Sequence, residues 1–422
     1  MSTGKISWGN FSAAPHRLFF WSGAFYAALM GALWTVQQLT LYAPLLPRIG
    51  WMGAGPPEPM HWVIPAGVAH GVIMLYALMG YYLAGFLLTI LPRRLGVEPV
   101  GRGPLLALWG ALLAGSHGFW IGLFFNRELV AGALGLLLAA YACLVWQLWG
   151  RLLRASRERT VLAPLLLAVT PAPLGLGLLL LAVLGVYAEG YRAVLVLGVN
   201  GFIMPLVLTV SHLMVPFFTQ VQAPGVEVRR SAYGGWVVLG LCWVRWGLDG
   251  FGPVGAVGVA DLALLTVWTS ELFRWRFWRA PQPPLVRVLY LGQGWIVLGL
   301  ALFSWQALAL WFGSGAVPPF GRAPLHALLV GGVGSLLLGI STRITLGQSG
   351  RAGDRMSVAG ALFLAIQGVA LARVAPEIAG YWWPAWAVQG FWSGGLWALV
   401  FGAWLVRIGP VLLRARADGK PG

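Results

Sequence analysis

Twelve long apolar segments limit what this chain can fold into more than any other feature of its sequence. Each has roughly the 20 residues that an α-helix needs to cross the hydrocarbon core of a bilayer. The polar stretches between them are too short for a soluble domain. Only 9% of the 422 residues are charged, against about 25% in an average soluble domain. The sequence therefore predicts one all-α, multi-pass transmembrane domain over residues 1–422.

The breaks between the apolar segments carry proline, glycine and arginine, which mark helix ends. We predict helices at residues 17–42, 62–91, 104–125, 129–150, 161–187, 193–218, 232–249, 254–273, 286–312, 323–346, 356–373 and 381–408. No repeat of 20–50 residues is evident by eye. The chain therefore reads as one helical bundle embedded in a lipid bilayer.

Positive charges alternate between the two sides of this predicted bundle. With a cytoplasmic N-terminus, the cytoplasmic segments carry 22 of the 28 lysines and arginines, and Arg245 lies within helix seven. The other five, on the outer side, are Arg48, Arg127, Arg192, Arg322 and Arg373. Cytoplasmic segments of membrane proteins are enriched in these residues, so we predict that both termini are cytoplasmic. The net charge of +16 then reflects topology and argues against nucleic-acid binding.

Five of the six histidines lie in or at the ends of predicted helices, where ionisable side chains mark functional sites. Their depths follow from the rise of 1.5 Å per residue. The outer group consists of His70, His117 and His326, and His61 lies above it at the outer interface. The inner group consists of His16 and His212. Imidazoles on different helices at one depth suit a b-type haem and also bind copper. The alternative is that each histidine hydrogen-bonds a facing hydroxyl or carbonyl group.

Arg245 and Asp249 stand four residues apart in predicted helix seven. Side chains with this spacing share one helix face, so we predict a structural ion pair between them. Asp261 in helix eight is the alternative partner of Arg245. Both interpretations treat the charges as structural.

Two more charged side chains allow a structural and a functional interpretation. Glu271 lies near the inner end of helix eight, where it neutralises Arg274 or Arg276 in the structural interpretation. The functional interpretation makes Asp261 and Glu271 proton-transfer carboxylates, because carboxylates inside membranes mark proton routes. Arg343 is either an anchor at the inner interface or a partner for a haem propionate.

Several short motifs, in order along the chain, resemble the NnrS family. Residues 15–20 (PHRLFF) resemble its HRxFF motif, 84–92 (AGFLLTILP) its AGFLLTxxP motif, and 215–219 (VPFFT) its IPxFT motif. Residues 290–300 (YLGQGWIVLGL) are similar to its ninth helix. Residues 325–331 (LHALLVG) and 341–351 (STRITLGQSGR) resemble HALTVG and MTRxxLGHTGR. The motifs span most of the chain.

The resemblance implies a twelve-helix protein of the bacterial cytoplasmic (inner) membrane that contains haem and copper. It also implies a link to nitric oxide metabolism, including denitrification, and a distant kinship with haem–copper oxidases and nitric oxide reductases. In that larger group the metal-site histidines lie on helices two, six, seven and ten. Here His70, His212 and His326 lie on helices two, six and ten. The family's WHAHE pattern is matched only by His70, and Gln348 replaces the histidine of LGHTGR.

The resemblance favours a haem-containing membrane protein that acts on nitric oxide, by reduction to nitrous oxide or by binding alone. His70 and His326 are the expected axial ligands of one or two b-type haems, and His16 and His212 form a candidate second site. The two cysteines form no c-type haem motif, so electrons are expected from quinol or a separate donor protein. A secondary transporter and a non-catalytic sensor or assembly protein remain the alternatives.

Overall fold

Twelve long helices lie within the residues that the structure describes. A computed structural model describes residues 6–42, 61–279, 283–313, 320–351 and 356–419. Arg48 lies outside these residues. A single-turn helix, Trp8–Phe11, comes first. The long helices are α1 (Pro15–Thr40), α2 (Ala66–Leu95), α3 (Arg102–Gly122), α4 (Arg127–Leu153), α5 (Arg159–Val183), α6 (Gly190–Gln222), α7 (Gly234–Phe251), α8 (Val254–Arg274), α9 (Pro284–Phe312), α10 (Ala323–Gln348), α11 (Val358–Ala379) and α12 (Pro384–Val411).

Eleven of these helices in the described residues are long and apolar enough to cross a membrane. The remaining one is α7, which has 18 residues and includes Arg245 and Asp249. These two charges, with its tryptophans and glycines, lower its mean hydropathy. The prediction of an all-α, polytopic membrane protein is confirmed.

Three helices form the centre of the bundle. In their most apolar stretches, 89% of the residues of α2, 83% of those of α6 and 78% of those of α10 are buried within the protein. For the other eight membrane-spanning candidates the share is between 33% and 50%. The outer faces of those helices are apolar and exposed, as in Trp146, Leu399 and Val406. Such faces are suited to contact with lipid, so the buried interior is built mainly by α2, α6 and α10.

Each central helix contains a π-helical segment. These segments are Ile73–Leu78 in α2, Leu197–Ile203 in α6 and Ala327–Val333 in α10. A π turn shifts the hydrogen-bond register by one residue and is frequent at functional sites. In α6 it directly precedes Met204 and Pro205, whose ring nitrogen has no hydrogen to donate. The helix continues through Pro205, so this proline does not interrupt it.

Side chains from neighbouring helices bind backbone carbonyls of two π segments. Tyr141 of α4 donates its hydroxyl hydrogen to the carbonyl of Tyr76, at 2.8 Å. Trp243 of α7 donates its indole hydrogen to the carbonyl of Gly201, at 3.3 Å. Tyr76 itself donates to the carbonyl of Val194, at 2.9 Å, which ties α2 to α6. Because unpaired carbonyls are costly in an apolar interior, these bonds help the irregular turns to persist.

The last helix returns to the first, and both ends of the described chain lie at one end of the bundle. α1 and α12 approach so closely that a Cβ at Gly31 would stand 2.8 Å from the carbonyl oxygen of Gly394. The amide of Ser7 donates to the carbonyl of Leu413 at 3.4 Å. The buried guanidinium of Arg17 donates to the carbonyl of Leu412 at 3.0 Å. That this end faces the cytoplasm stays a prediction.

Candidate functional site

A cavity between the three central helices contains two of the predicted site residues. Its volume is ≈ 290 Å³, and α1, α11 and α12 complete its wall. His70 of α2 and His326 of α10 both line it. Residues of all three π segments line it as well, among them Met74, Val199 and Val330. We call this space the histidine cavity.

His70 is held in place by an aromatic neighbour. Its imidazole stacks on the indole of Trp34 in α1, with ring centroids 3.9 Å apart and an angle of 18° between the planes. His70 stands three residues before the π segment of α2, at the predicted outer part of the helix. Stacking restricts rotation of the imidazole while leaving its ring nitrogens at the edge of the ring. His70 stays a predicted ligand, and the packing of α1 supplies the orientation of its ring.

His326 is joined to an acidic residue of α11. Its Nδ1 atom lies 3.0 Å from Oε2 of Glu377. The other carboxylate oxygen of Glu377 lies 2.9 Å from Nη2 of Arg373, one turn earlier in the same helix. The Nε of Arg373 is also 3.2 Å from His326 Nδ1. The three side chains form a charged cluster at the wall of the histidine cavity.

The carboxylate favours the tautomer of His326 that carries its hydrogen on Nδ1. A lone pair on Nδ1 would face the negative oxygen of Glu377 at 3.0 Å, whereas an N–H group there donates to it. The contact with Arg373 is longer, and this guanidinium is already paired with Glu377. With the hydrogen on Nδ1, the lone pair of Nε2 is available to a metal. Histidine ligands commonly have such a carboxylate behind them.

Two arginines give the cavity a positive side. Arg322 and Arg373 line it together with the two histidines, while most other lining side chains are apolar. An imidazole with a free Nε2, two guanidinium groups and apolar walls fit the needs of a haem, which has an iron, two carboxylates and an apolar macrocycle. The volume is close to the lower end of small-molecule sites, about 300–1,000 Å³. The donor set therefore fits a haem.

Copper finds less support in the same residues. The part of the chain that the structure describes has no group of three or more His, Cys, Asp or Glu side chains placed to hold a metal ion. Copper thus stays a prediction from the family resemblance.

The structure separates the other outer histidines from the pair. His117 contacts the carbonyl of Leu113 at 3.0 Å and packs against Phe25 and Tyr26, away from the lining residues. His61 is exposed in the segment before α2. The structure therefore does not bring His117 to the histidine cavity, because equal depth does not fix the direction in which a side chain leaves its helix, and a role of His117 in binding a cofactor stays a prediction.

The inner histidines have separate neighbours. The backbone amide of His16 donates to Thr89 at 3.1 Å, and its ring is buried. His212 has its Nε2 3.3 Å from Oε2 of Glu271, and Gly234 is so close that an added Cβ would stand 2.3 Å from that Nε2. The amide of Ser231 donates to the same carboxylate at 3.4 Å. The structure shows no contact between His16 and His212, so a shared site for them stays a prediction.

The buried ion pair links two helices rather than residues of one helix. Arg245 binds Asp261 of α8 through two hydrogen bonds, the Nη2–Oδ2 bond being 3.3 Å long. Asp249 instead accepts a hydrogen bond of 2.9 Å from Asn200 of α6. The predicted pair of Arg245 and Asp249 is therefore wrong and the alternative with Asp261 is confirmed. Because α7 packs against α8, Arg245 has a fully buried partner: the side chain of Asp261 is only 1% exposed.

The predicted roles of three charged side chains, Glu271, Asp261 and Arg343, stay predictions. Glu271 contacts Arg274 at 3.8 Å, as its structural interpretation predicts, although His212 is the closer partner. Proton transfer by Asp261 and Glu271 stays a prediction, and both carboxylates are engaged in ion pairs. Arg343 lies near the inner end of α10 and outside the lining of the histidine cavity. Its position suits an anchor at the interface.

Glu377 is the residue that sequence reasoning missed. The predicted eleventh helix ends at residue 373, whereas α11 continues to Ala379. A usable signal was present, because Glu377 follows Arg373 by four residues and such pairs share a helix face. Pro376 lies between them and argued against a longer helix, yet the helix continues through it to Ala379.

Comparison with known proteins agrees with the fold and the motifs. No curated protein that was compared with the chain matches it. The family model described as "NnrS protein" matches residues 10–416, nearly the whole chain. The chain therefore belongs to the NnrS family.

Proposed function

We propose that this chain binds a b-type haem in the histidine cavity and acts on nitric oxide within a bacterial inner membrane. The observation that carries the proposal is that His70 and His326 reach one largely apolar cavity from two central helices. The contact of His326 with Glu377 at 3.0 Å adds the carboxylate that often stands behind a metal-bound histidine. Membership of the NnrS family supports the link to nitric oxide.

Each polar group of the cavity has a role in this proposal. His326 would hold the haem iron through Nε2, and His70 would be a further ligand of the iron or face the bound gas. Arg322 and Arg373 would hold the two propionates. When bound, the haem supplies an iron that binds nitric oxide and exchanges single electrons. The apolar walls exclude water, which suits a small, uncharged ligand that enters from lipid.

Reduction of nitric oxide is the fuller form of the proposal. Two molecules of nitric oxide, two electrons and two protons give nitrous oxide and water. The electrons come from quinol or from a separate electron-donor protein, since the chain has no c-type haem motif. Of the acidic side chains described above, Glu377 is the one bonded to a residue of the cavity wall. Binding without reduction is the simpler form.

The first test is a reduced-minus-oxidised optical spectrum of the purified protein, with a pyridine haemochrome assay for stoichiometry. We expect a b-type signal that is lost or strongly reduced in His326→Ala. In His70→Ala the haem is either lost as well, if His70 binds the iron, or kept with a changed response to nitric oxide, if His70 faces the gas. His117→Ala is the matched control, because it removes an imidazole of similar depth outside the cavity. A colourless protein, or full haem content in both cavity variants, would refute the site and favour a transporter.

The second test separates reduction from binding. The haem protein is supplied with a reduced quinol and nitric oxide, and nitrous oxide is measured in the headspace. Formation of nitrous oxide that depends on His326 supports reduction. A spectral change on addition of nitric oxide without nitrous oxide supports binding alone.

A further inference from the structure

A second, smaller cavity follows the histidine cavity along the central helices. Its volume is ≈ 60 Å³. In α2, α6 and α10 its lining residues come directly after those of the histidine cavity, toward the C-terminal end of each helix. Met79, Val333 and Leu337 line both spaces and form the wall between them. We call this space the inner chamber.

The inner chamber is apolar apart from two side chains. Ser341 lines it, but its hydroxyl already donates to the carbonyl of Leu337 at 2.5 Å. Tyr82 lines it as well and is 4% exposed. Within the described residues, the hydroxyl of Tyr82 is buried and has no hydrogen-bond partner. Its ring is stacked on Phe20 of α1, with centroids 5.8 Å apart.

The size and chemistry of the chamber select a narrow class of occupant. About 10–15 Å³ is enough for one water molecule, but a buried water needs two to four polar partners. The chamber offers one unused donor, on Tyr82. Apolar cavities stay dry and take up apolar molecules such as xenon. The space is far smaller than the roughly 300 Å³ of ordinary ligand sites.

We propose that the inner chamber binds one small, uncharged gas molecule and that, among the described residues that line it, the Tyr82 hydroxyl donates a hydrogen bond to this molecule. The wall of Met79, Val333 and Leu337 is apolar, and rotation of the flexible side chains of Met79 and Leu337 lets the gas pass to the histidine cavity. Binding of a gas needs no haem. The role as a reservoir for the ligand of the histidine cavity rests on the proposed function.

Xenon is the probe that tests the chamber. Its binding to the full-length purified protein is followed by the saturable change in the ¹²⁹Xe chemical shift. Val210→Phe fills the chamber, because Val210 of α6 lines it and is 9% exposed. Val221→Phe is the control, since it adds the same side chain to the same helix at a position that is 50% exposed. We expect a loss of at least about tenfold in xenon affinity in Val210→Phe and none in the control.

Two variants of Tyr82 keep the test valid if Val210→Phe fails to fold. Tyr82→Phe removes only the hydroxyl and should retain xenon, which needs no hydrogen bond. Tyr82→Trp reduces the free volume and should weaken xenon binding. Unchanged xenon affinity in a folded Val210→Phe or Tyr82→Trp, or an equal loss in Val221→Phe, would overturn the proposal.

The outcomes distinguish this inference from the proposed function. A colourless protein that binds xenon in a manner sensitive to Val210→Phe would refute the haem and support the chamber. A haem protein without saturable xenon binding would refute the chamber alone.

Discussion

Replacement of Glu377 by glutamine removes one negative charge beside His326. The variant tests whether this carboxylate supports haem binding in the histidine cavity. Glu377 receives two contacts, from His326 Nδ1 at 3.0 Å and from Arg373 Nη2 at 2.9 Å. Glutamine has the same shape but only one acceptor oxygen, so one of these contacts loses its acceptor. Hydrogen bonds to charged groups contribute about 1.5–3 kcal/mol.

The expected effect is a loss of haem affinity. Mutating the partner of a metal-bound histidine typically lowers metal affinity about 10–100-fold, which equals about 1.4–2.8 kcal/mol. This range agrees with the loss of one charge-assisted hydrogen bond. The Kd of haem is measured by titrating the apoprotein and by transfer of haem to apomyoglobin.

Two further variants complete the experiment. Glu227→Gln is the control, because Glu227 is exposed and pairs with Arg229 at 2.8 Å in the segment between α6 and α7. Arg373→Gln should weaken haem binding as well, because it removes the partner of Glu377 and a guanidinium that would hold a propionate. An unchanged Kd in a folded Glu377→Gln would refute the reasoning on the tautomer of His326.

Three other predictions concern the stability of the helical bundle and the role of His117. Asp261→Asn leaves Arg245 buried without a negative partner, so we expect the free energy of unfolding to fall by about 3–5 kcal/mol. Denaturant unfolding in detergent measures this change, and a change below about 1 kcal/mol would contradict a buried pair. Gly190→Ala should lower the melting temperature, because the added Cβ would stand 2.0 Å from the carbonyl oxygen of Leu178. Gly132→Ala is the control: its Cβ meets no atom within 4 Å, so the variant should be neutral or stabilised by up to about 1 kcal/mol. His117→Asn should keep the full haem content. Loss of the haem absorption in this variant would show that His117 takes part in haem binding.

Much of the fold follows from the sequence because the bilayer imposes simple demands. Backbone groups must be hydrogen-bonded internally in hydrocarbon, so each long apolar segment has to be a helix. The twelve predicted segments correspond to α1–α12. The helix ends were less well predicted, as at α11, where a charged residue such as Arg373 reads as a loop although it lies within the last turns. The π segments were not predicted, since their register depends on contacts with other helices.

The candidate site was predicted in part. Depth along the helix axis placed His70 and His326 at one level, and both line the histidine cavity. The same measure grouped His117 with them, but the face of its helix points elsewhere. Glu377 was missed because the predicted eleventh helix ended at residue 373, and its contact with His326 depends on how α11 packs against α10.

Hydropathy and the positions of arginine and lysine determined the helices and the predicted side of each loop. These properties act along the membrane normal, where burial in hydrocarbon depends on depth and little else. Which side chains meet was decided only by the tertiary structure. Rotation about each helix axis and the choice of neighbours depend on close packing between helices far apart in sequence. That packing pairs Arg245 with Asp261, stacks Trp34 on His70 and brings Glu377 to His326.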